Sequence, residues 1–294
     1  MKITNILSLF DGISCGRVAL DRIGIEYENY YASEIDKYAI KIAQSNFPDT
    51  IQLGDVKNWK EWNLPQIDLL MGGSPCQGFS ITGKQLNFED PRSKLFFEFV
   101  DILNYYKPKY FLLENVRMKQ EYQDIISNYL GVQPIKINSA LVSAQNRNRL
   151  YWTNIPNISQ PLDKGIILKD VLDGDESIEN FINYFDIMKP VNSKSNRVGI
   201  IGKGGQGDRI YTTDKKSVTL MAESGGTGAK TGLYLTGEKT VRRLMPNECE
   251  RLQNLPDNYT EGVSKAQRYK MLGNGWTVDV IVHILNHINL EEKL

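Results

Sequence analysis

Histidine is almost absent from this chain and cysteine is scarce, with two of the first and three of the second in 294 residues. Cys15, Cys76 and Cys249 are odd in number and widely spaced, which excludes a disulfide framework and the paired spacing of a metal site. His283 and His287 stand four apart, as a ligand pair would, but no glutamate lies between them. A helix surface near the C-terminus is the better account, and no metal is expected. No apolar run approaches the length of a bilayer. Met1 to Thr4 lead straight into a strand-like segment without a signal-peptide pattern, so a reducing cytoplasm is the expected setting. Net charge is absent as well, 35 basic residues balancing 35 acidic ones, which removes the overall basic bias of many nucleic-acid binders. The G-x-G-x-x-G fingerprint of dinucleotide binding is missing too.

What is present is an ordinary globular composition, 41% hydrophobic and 24% charged, in a chain long enough for one large domain or two. Up to about residue 158, short apolar runs alternate with helical patterns. Residues 6–10, 29–33, 50–53, 68–71, 110–113, 135–142 and 150–153 read as strands. Residues 16–23, 37–46, 94–106 and 121–130 read as helices. Alternation at this spacing predicts an α/β fold with a largely parallel sheet covered on both faces. Beyond that point glycine and small polar residues dominate 199–232, with short strands expected, such as 208–211 and 217–221. Helical pattern returns at 245–254 and 277–288. The division expected is a first domain over 1–158, completed by a C-terminal helix at about 268–294, and a smaller domain over 159–267. Between Asp186 and Arg243 eleven Lys/Arg face five Asp/Glu, a local excess of +6 that the rest of the chain offsets. Such a lobe is either a phosphate-binding surface or a solvated, loop-rich face.

The segment Gly72-Gly73-Ser74-Pro75-Cys76-Gln77-Gly78-Phe79-Ser80 follows the strand at 68–71. It therefore presents Cys76 at a strand's carboxyl end, where open α/β sheets place their sites. Pro75 stiffens the backbone on both sides of its own φ. Cys76 reads as a displayed nucleophile or as a small buried hydrophobe. The first strand ends in Phe10-Asp11-Gly12, a turn suited to a nucleotide-like cofactor. The second ends in Ser33-Glu34-Ile35, its acid placed to accept from ribose hydroxyls, and the third in Gly54-Asp55-Val56. Three such ends in register, without a pyrophosphate motif, suggest S-adenosylmethionine. Glu114 follows the strand at 110–113, as a site carboxylate or as an acid favoured by a helix dipole. Arg147 and Arg149, two apart, share a face of an extended chain and form either a cationic clamp or a surface strand.

These segments together resemble the DNA (cytosine-5) methyltransferases of bacteria and phages. Phe10-Asp11-Gly12 is similar to that family's first cofactor motif, Pro75-Cys76-Gln77 to its nucleophile motif and Glu114-Asn115-Val116 to its ENV motif. Gln145-x-Arg147-x-Arg149 resembles its QxRxR motif, and residues 243–259, with Glu248-Cys249-Glu250-Arg251-Leu252-Gln253, its block after the recognition region. Gly273-Asn274-Gly275-Trp276 resembles its last motif, where Gly-Asn-Ser-Val is more frequent.

The resemblance implies a Rossmann-like S-adenosylmethionine-dependent methyltransferase sheet with a smaller target-recognition domain. It implies that Cys76 adds to C6 of a flipped cytosine, Glu114 hydrogen-bonds N3 and the amine, Arg149 holds O2, and Arg147 supports Glu114 and the backbone. Cofactor contacts carried over are Phe10, Asp11, Gly12, Glu34, Ile35, Asp55, Val56, Pro75, Leu95 and Asn274. Residues 78–93 would close over the base, with Thr82 filling the gap in double-stranded DNA. Recognition would fall within about 165–238, where Arg197, Lys203, Gln206, Arg209, Lys215 and Lys230 are the candidates for contacts to DNA. A monomer is expected, and the sequence leaves open whether a cognate restriction endonuclease accompanies it. A tRNA cytosine-5 methyltransferase and a non-catalytic DNA-binding regulator are the competing readings, with an NAD-dependent enzyme further off.

Overall fold

The computed structural model describes residues 3–74, 91–178, 181–191 and 196–288. They divide into two units, one spanning 1–137, 148–160 and 280–294, the other 138–147 and 161–279.

In the first unit β1 (Asn5–Leu9), β2 (Asn29–Ser33), β3 (Ile51–Gln52), β4 (Leu69–Gly72) and β5 (Tyr110–Val116) run parallel. Between them lie α1 (Cys15–Arg22), α2 (Lys37–Asn46) and α3 (Pro91–Tyr106). Next come α4 (Gln120–Leu130), β6 (Ile135–Asn138) and β7 (Asn148–Thr153), the last antiparallel to β5. The strand order is β3-β2-β1-β4-β5-β7-β6. Strand progression reverses between β1 and β4, so their carboxyl ends flank the switch point at which open α/β sheets carry their sites. All five residues of β1 are buried, as a central parallel strand covered on both faces requires. Leu7, Leu9, Leu70, Phe96, Phe99, Phe111, Leu113 and Trp152 share one core, each worth about 1.5–3 kcal/mol on burial. Helix α2 starts at Asp36, whose side chain accepts from Tyr38 N at 2.9 Å, and α4 stops at Gly131, φ 70°. Gly72 closes β4 because a Cβ there would sit 3.0 Å from the Phe99 ring and 3.3 Å from Leu9 O.

The second unit carries β8 (Lys189–Pro190), β9 (Arg197–Ile200), β10 (Arg209–Thr212), β11 (Leu233–Gly237) and β12 (Thr240–Arg242). They form one sheet, ordered β12-β11-β10-β9-β8 and parallel only between β10 and β11. Ile201, Ile210, Leu233 and Val241 make its small core. Helices α5 (Pro246–Leu252) and α6 (Lys265–Asn274) follow, and α7 (Val278–Leu285) begins in this unit and continues into the first. The Arg242 guanidinium, fully buried, pairs with Glu248 at 2.8 Å and Asp175 at 2.8 Å and ties 173–175 to α5.

Several expectations are corrected. The strand expected at 135–142 stops at Asn138, whose side chain accepts from Ala140 N and Arg147 N and turns the chain into a 3-10 helix. Residues 217–221 form a single bridge with Gln145 rather than a strand, because their backbone bonds go to side chains and loops. In place of one helix from 268, the described residues to 288 hold two, broken at 275–277, and α6 lies in the second unit. The division therefore falls at 160 and 280 rather than 158 and 268, with 138–147 in the second unit. Among the described residues no helix is long and apolar enough to cross a membrane, and no cluster of His, Cys, Asp and Glu has metal-ligand spacing.

Candidate active site at the carboxyl edge of the sheet

Three strand ends are stitched together at the carboxyl edge. Asp11 N donates to Ser33 O at 3.1 Å, joining the end of β1 to β2. Ser33 Oγ donates to Gly54 O at 2.7 Å and Leu53 N to Ala32 O at 2.8 Å, joining β2 to the end of β3. Asp11, Glu34 and Asp55 thereby stand in a row on adjacent turns.

The turn after β1 has an uncommon backbone. Phe10, Gly12 and Ser14 all adopt positive φ, at 56°, 59° and 59°. Glycine does so freely, but Phe10 and Ser14 hold left-handed conformations that cost about 1–2 kcal/mol each. Glu34 clamps this turn with its own carboxylate: Oε2 accepts from Gly12 N at 2.8 Å, and Oε1 accepts from Ile35 N at 2.7 Å and Asp36 N at 2.9 Å. A carboxylate oxygen has two lone pairs. Oε1 is filled, and among the described residues Oε2 has one donor, which keeps one acceptor position for a ligand hydroxyl. Ile35 beside it is 72% exposed, an uncommon position for a large aliphatic residue. Asp55 caps a 3-10 helix by accepting from Lys57 N at 3.0 Å. Val56 lies in the core at 4% exposure, which leaves only its backbone for a ligand. Phe10 and Leu95 pack on the main core and stay half-exposed.

On the other side of the switch point β4 ends at Gly72, and Ser74 is buried, its Oγ accepting from Asn115 Nδ2 of β5 at 3.4 Å. Pro75, Cys76 and Thr82 lie outside the described residues, as do 78–90 of the expected closing loop; 91–93 open α3 instead. Glu114 sits in β5 with 8% exposure, and Arg149 in β7 pairs with it, Nε to Oε1 at 2.9 Å. The register explains the meeting. Arg149 opposes Val116, and Glu114 is two residues away on the same face, so the pair is diagonal across the ladder. Arg149 Nη1 donates to Asn148 O, which fixes the guanidinium. Among the described residues Glu114 Oε2 accepts no hydrogen bond, so this buried carboxylate keeps an acceptor for a ligand N–H.

Arg147 is in the other unit and works differently. β7 starts only at Asn148, so the extended geometry expected to align the two arginines does not reach Arg147. Its guanidinium, 2% exposed with its residue, donates to Leu220 O at 3.1 Å and to Gly273 O and Gly275 O, both at 2.9 Å. Of the support for Glu114 and the backbone expected of Arg147, these bonds are to backbone, and Arg149 holds Glu114. Gly273 is held so close to the Met221–Ala222 backbone that a Cβ would collide with it. Asn274, expected at the cofactor, ends α6 in the second unit and is exposed. Gln145, first residue of the same motif and fully buried, donates to Leu252 O at 2.8 Å and Gln253 Oε1 at 3.0 Å and braces this region.

The recognition candidates fall on the second unit's sheet and its loops. Arg197 opens β9 and Arg209 opens β10, both half-buried, the latter with its Nε enclosed and unpartnered among the described residues. Lys203 and Gln206 are exposed on the turn between them. That turn is locked to 225–228: Gly228 N donates to Gly207 O at 2.5 Å, Thr227 N to Asp208 Oδ1 at 3.0 Å, and a Cβ on Gly207 would strike Gly225 O. The Thr227 N–H holds the Asp208 carboxyl below its usual range. Lys215 is exposed, while Lys230 donates to Ala266 O at 3.3 Å.

A sequence profile of the family described as C-5 cytosine-specific DNA methylase matches residues 4–290. Among curated proteins, the chain is 35% identical to the type II methyltransferase M.HhaI of Haemophilus parahaemolyticus over 96% of this chain and 93% of that one. It is 33% identical to the type II methyltransferase M1.ScrFI of Lactococcus lactis subsp. cremoris, over 94% and 75% of the two chains. An orphan methyltransferase of Bacillus phage rho11s is 31% identical over 84% and 53%. Among solved structures, the Entamoeba histolytica methyltransferase EhMeth shares the fold at a TM-score of 0.76, with 22% identity and full coverage of both chains. The S. pombe Dnmt2 methyltransferase shares it at 0.67, with 18% identity and 98% coverage of each.

Proposed function

The chain belongs to the C-5 cytosine-specific DNA methylase family and is a DNA (cytosine-5) methyltransferase, and we propose that it acts on a cytosine flipped out of duplex DNA through a covalent bond from Cys76 to C6. The observation that carries this reading is the buried Glu114–Arg149 pair, placed on β5 and β7 next to the strand that leads into Pro75-Cys76.

Cytosine C5 is too poor a nucleophile to take a methyl group unaided. The Cys76 thiolate adds to C6 and places electron density on C5, which divides one hard step into easier ones. Glu114, with Oε2 open and Oε1 held by Arg149, shares a proton with N3 and accepts from the exocyclic amine as charge develops. Once C5 carries the methyl group, a base removes the C5 proton and elimination re-forms the C5=C6 bond and releases Cys76. A stacked cytosine cannot reach such a site, so extrusion precedes chemistry. Arg147 acts through the backbone it grips, as a positioning residue.

The residues at the β1, β2 and β3 ends fit a nucleoside cofactor. Glu34 Oε2 retains an acceptor, Ile35 offers an exposed aliphatic face, Phe10 and Leu95 are half-exposed on the core, and Asp55 is at the third turn. S-adenosylmethionine held there supplies the methyl group for C5. Residues 165–238 carry target recognition, through Lys203, Gln206, Arg197, Arg209 and Lys215, on a short site. The protein works as a monomer in the cytoplasm, alone or beside a cognate endonuclease.

A duplex containing 5-fluorocytosine tests the covalent step. With S-adenosylmethionine the wild-type protein forms an adduct stable to denaturation, and Cys76→Ala forms none. Absence of an adduct from the wild type on any DNA overturns the mechanism, and methylation of total tRNA with none of duplex DNA would replace the substrate.

A further inference from the structure

We propose that Tyr30 and Ser14 are positioning residues for the cofactor turn, acting through the Asp11 carboxylate; the inference rests on the reading that this turn meets S-adenosylmethionine. Each oxygen of Asp11 has its own hydroxyl donor. Tyr30 Oη donates to Oδ1 at 2.8 Å and Ser14 Oγ donates to Oδ2. The carboxylate is thus engaged by the protein on both oxygens, and its influence on a ligand passes through the backbone it fixes.

That backbone needs fixing. Two non-glycine residues in left-handed conformation within five positions hold only where surrounding bonds over-determine them. Ser14 N donates to Asp11 O at 3.0 Å and Gly12 N to Glu34 Oε2, so the anchor at Asp11 sets where Phe10 and the Glu34 carboxylate stand. The Tyr30 ring is itself held in place. The Arg17 guanidinium lies 5.1 Å from its centroid, 5.5 Å from Tyr27 and 4.6 Å from Phe47. Arg17, only 5% exposed, also donates to Tyr27 Oη at 2.8 Å, to Thr50 Oγ1 at 2.5 Å and to Asp49 at 2.5 Å. A buried cation therefore fixes an aromatic ring whose hydroxyl fixes the turn. The hydroxyl is the removable part: Tyr30→Phe keeps the ring and its contact with Arg17.

The test is titration of the full chain with S-adenosylhomocysteine by calorimetry, with circular dichroism to establish folding. Tyr30→Phe raises the dissociation constant about ten-fold, the scale of one lost hydrogen bond to a charged group, and the kinetic loss falls on the cofactor KM rather than on kcat. Ser14→Ala, which removes the other hydroxyl, does the same and serves where Tyr30→Phe does not fold. In an Asp11→Asn background the further change Tyr30→Phe costs less than two-fold, because the charge through which it acts is gone. Folded variants that bind within two-fold of the wild type overturn the positioning role while leaving the cofactor reading intact. A wild-type protein that binds no S-adenosylhomocysteine overturns the cofactor reading itself.

Discussion

Replacing Glu114 by Gln keeps the shape of the side chain and removes its charge, leaving the Arg149 guanidinium without its counter-ion. The pair is 2.9 Å apart, with side chains 13% and 11% exposed. At that distance and an effective dielectric near 20 the bare attraction is about 6 kcal/mol, most of it offset by desolvation. Breaking a buried pair from one side costs about 3–5 kcal/mol. The residual exposure and the amide oxygen's remaining ability to accept a hydrogen bond reduce this to about 2–3 kcal/mol. Unfolding of Glu114→Gln, Arg149→Met and the double variant should give a coupling of about 2 kcal/mol. The same Glu114 substitution should slow methyl transfer by about 10²–10⁴-fold, the range of a lost acid–base group. Single effects that add to within about 0.5 kcal/mol would mean that the pair is geometric only. Activity retained within three-fold would remove Glu114 from the chemistry.

Cys15 and Cys249 are buried, and burial pushes the Cys249 thiol well above its usual range. Alkylation of the native protein at pH 8 should therefore spare both, and Cys76→Ala should abolish labelling. Arg147→Met removes three charge-assisted bonds to carbonyl oxygens and should cost about 2–4 kcal/mol in unfolding free energy, whereas a loss under about 1 would show that these contacts are idle. Gly207→Ala should weaken DNA binding in a mobility-shift assay and leave S-adenosylhomocysteine binding unchanged, because its Cβ strikes Gly225 O in the locked loops of the second unit. Burial raises the Asp11 carboxyl above 3.8. The folded state then holds that proton more tightly than the unfolded chain does, so the group favours folding below 3.8 and loses that contribution as pH climbs through the raised value. Asp11→Asn should accordingly melt higher than the wild type at pH 7, with the gap closing below pH 4.

The first unit was largely legible because its signals are local. Helix periods, apolar strand runs and an acid at each of three strand ends need no distant partner to be read, and the row of Asp11, Glu34 and Asp55 follows from adjacent parallel strands. The second unit was not legible in the same way. Of its strands β9–β12, three to five residues long, only β10 was expected, at 208–211; β9 is broken by Gly199, β11 ends in Gly237 and β12 has three residues, so their alternation is too brief to register. Residues 217–221 looked like a strand by composition, but Leu220 N bonds to the Gln145 side chain and Met221 N to Lys230 O, choices made by residues 75 and nine positions away.

The arginine pair shows why spacing alone did not give a shared face. Two arginines at i and i+2 share a face only while the chain stays extended, and Asn138 ends that condition by capping Arg147 N with its side chain just before β7 begins. Arg149, inside the ladder, reaches the Glu114 carboxylate; Arg147, outside it, is left among backbone carbonyls of 220, 273 and 275. One motif thus serves both units, its last residue holding a carboxylate at the sheet edge and its middle residue closing the loop at Gly273 and Gly275. The glycine at 273 answers the same demand, since the backbone of 221–222 occupies the space a side chain would need. A substitution at Arg147 should consequently be rescued by changes that relieve this loop rather than by changes near Glu114, an outcome that a second-site suppressor screen for DNA methylation would reveal.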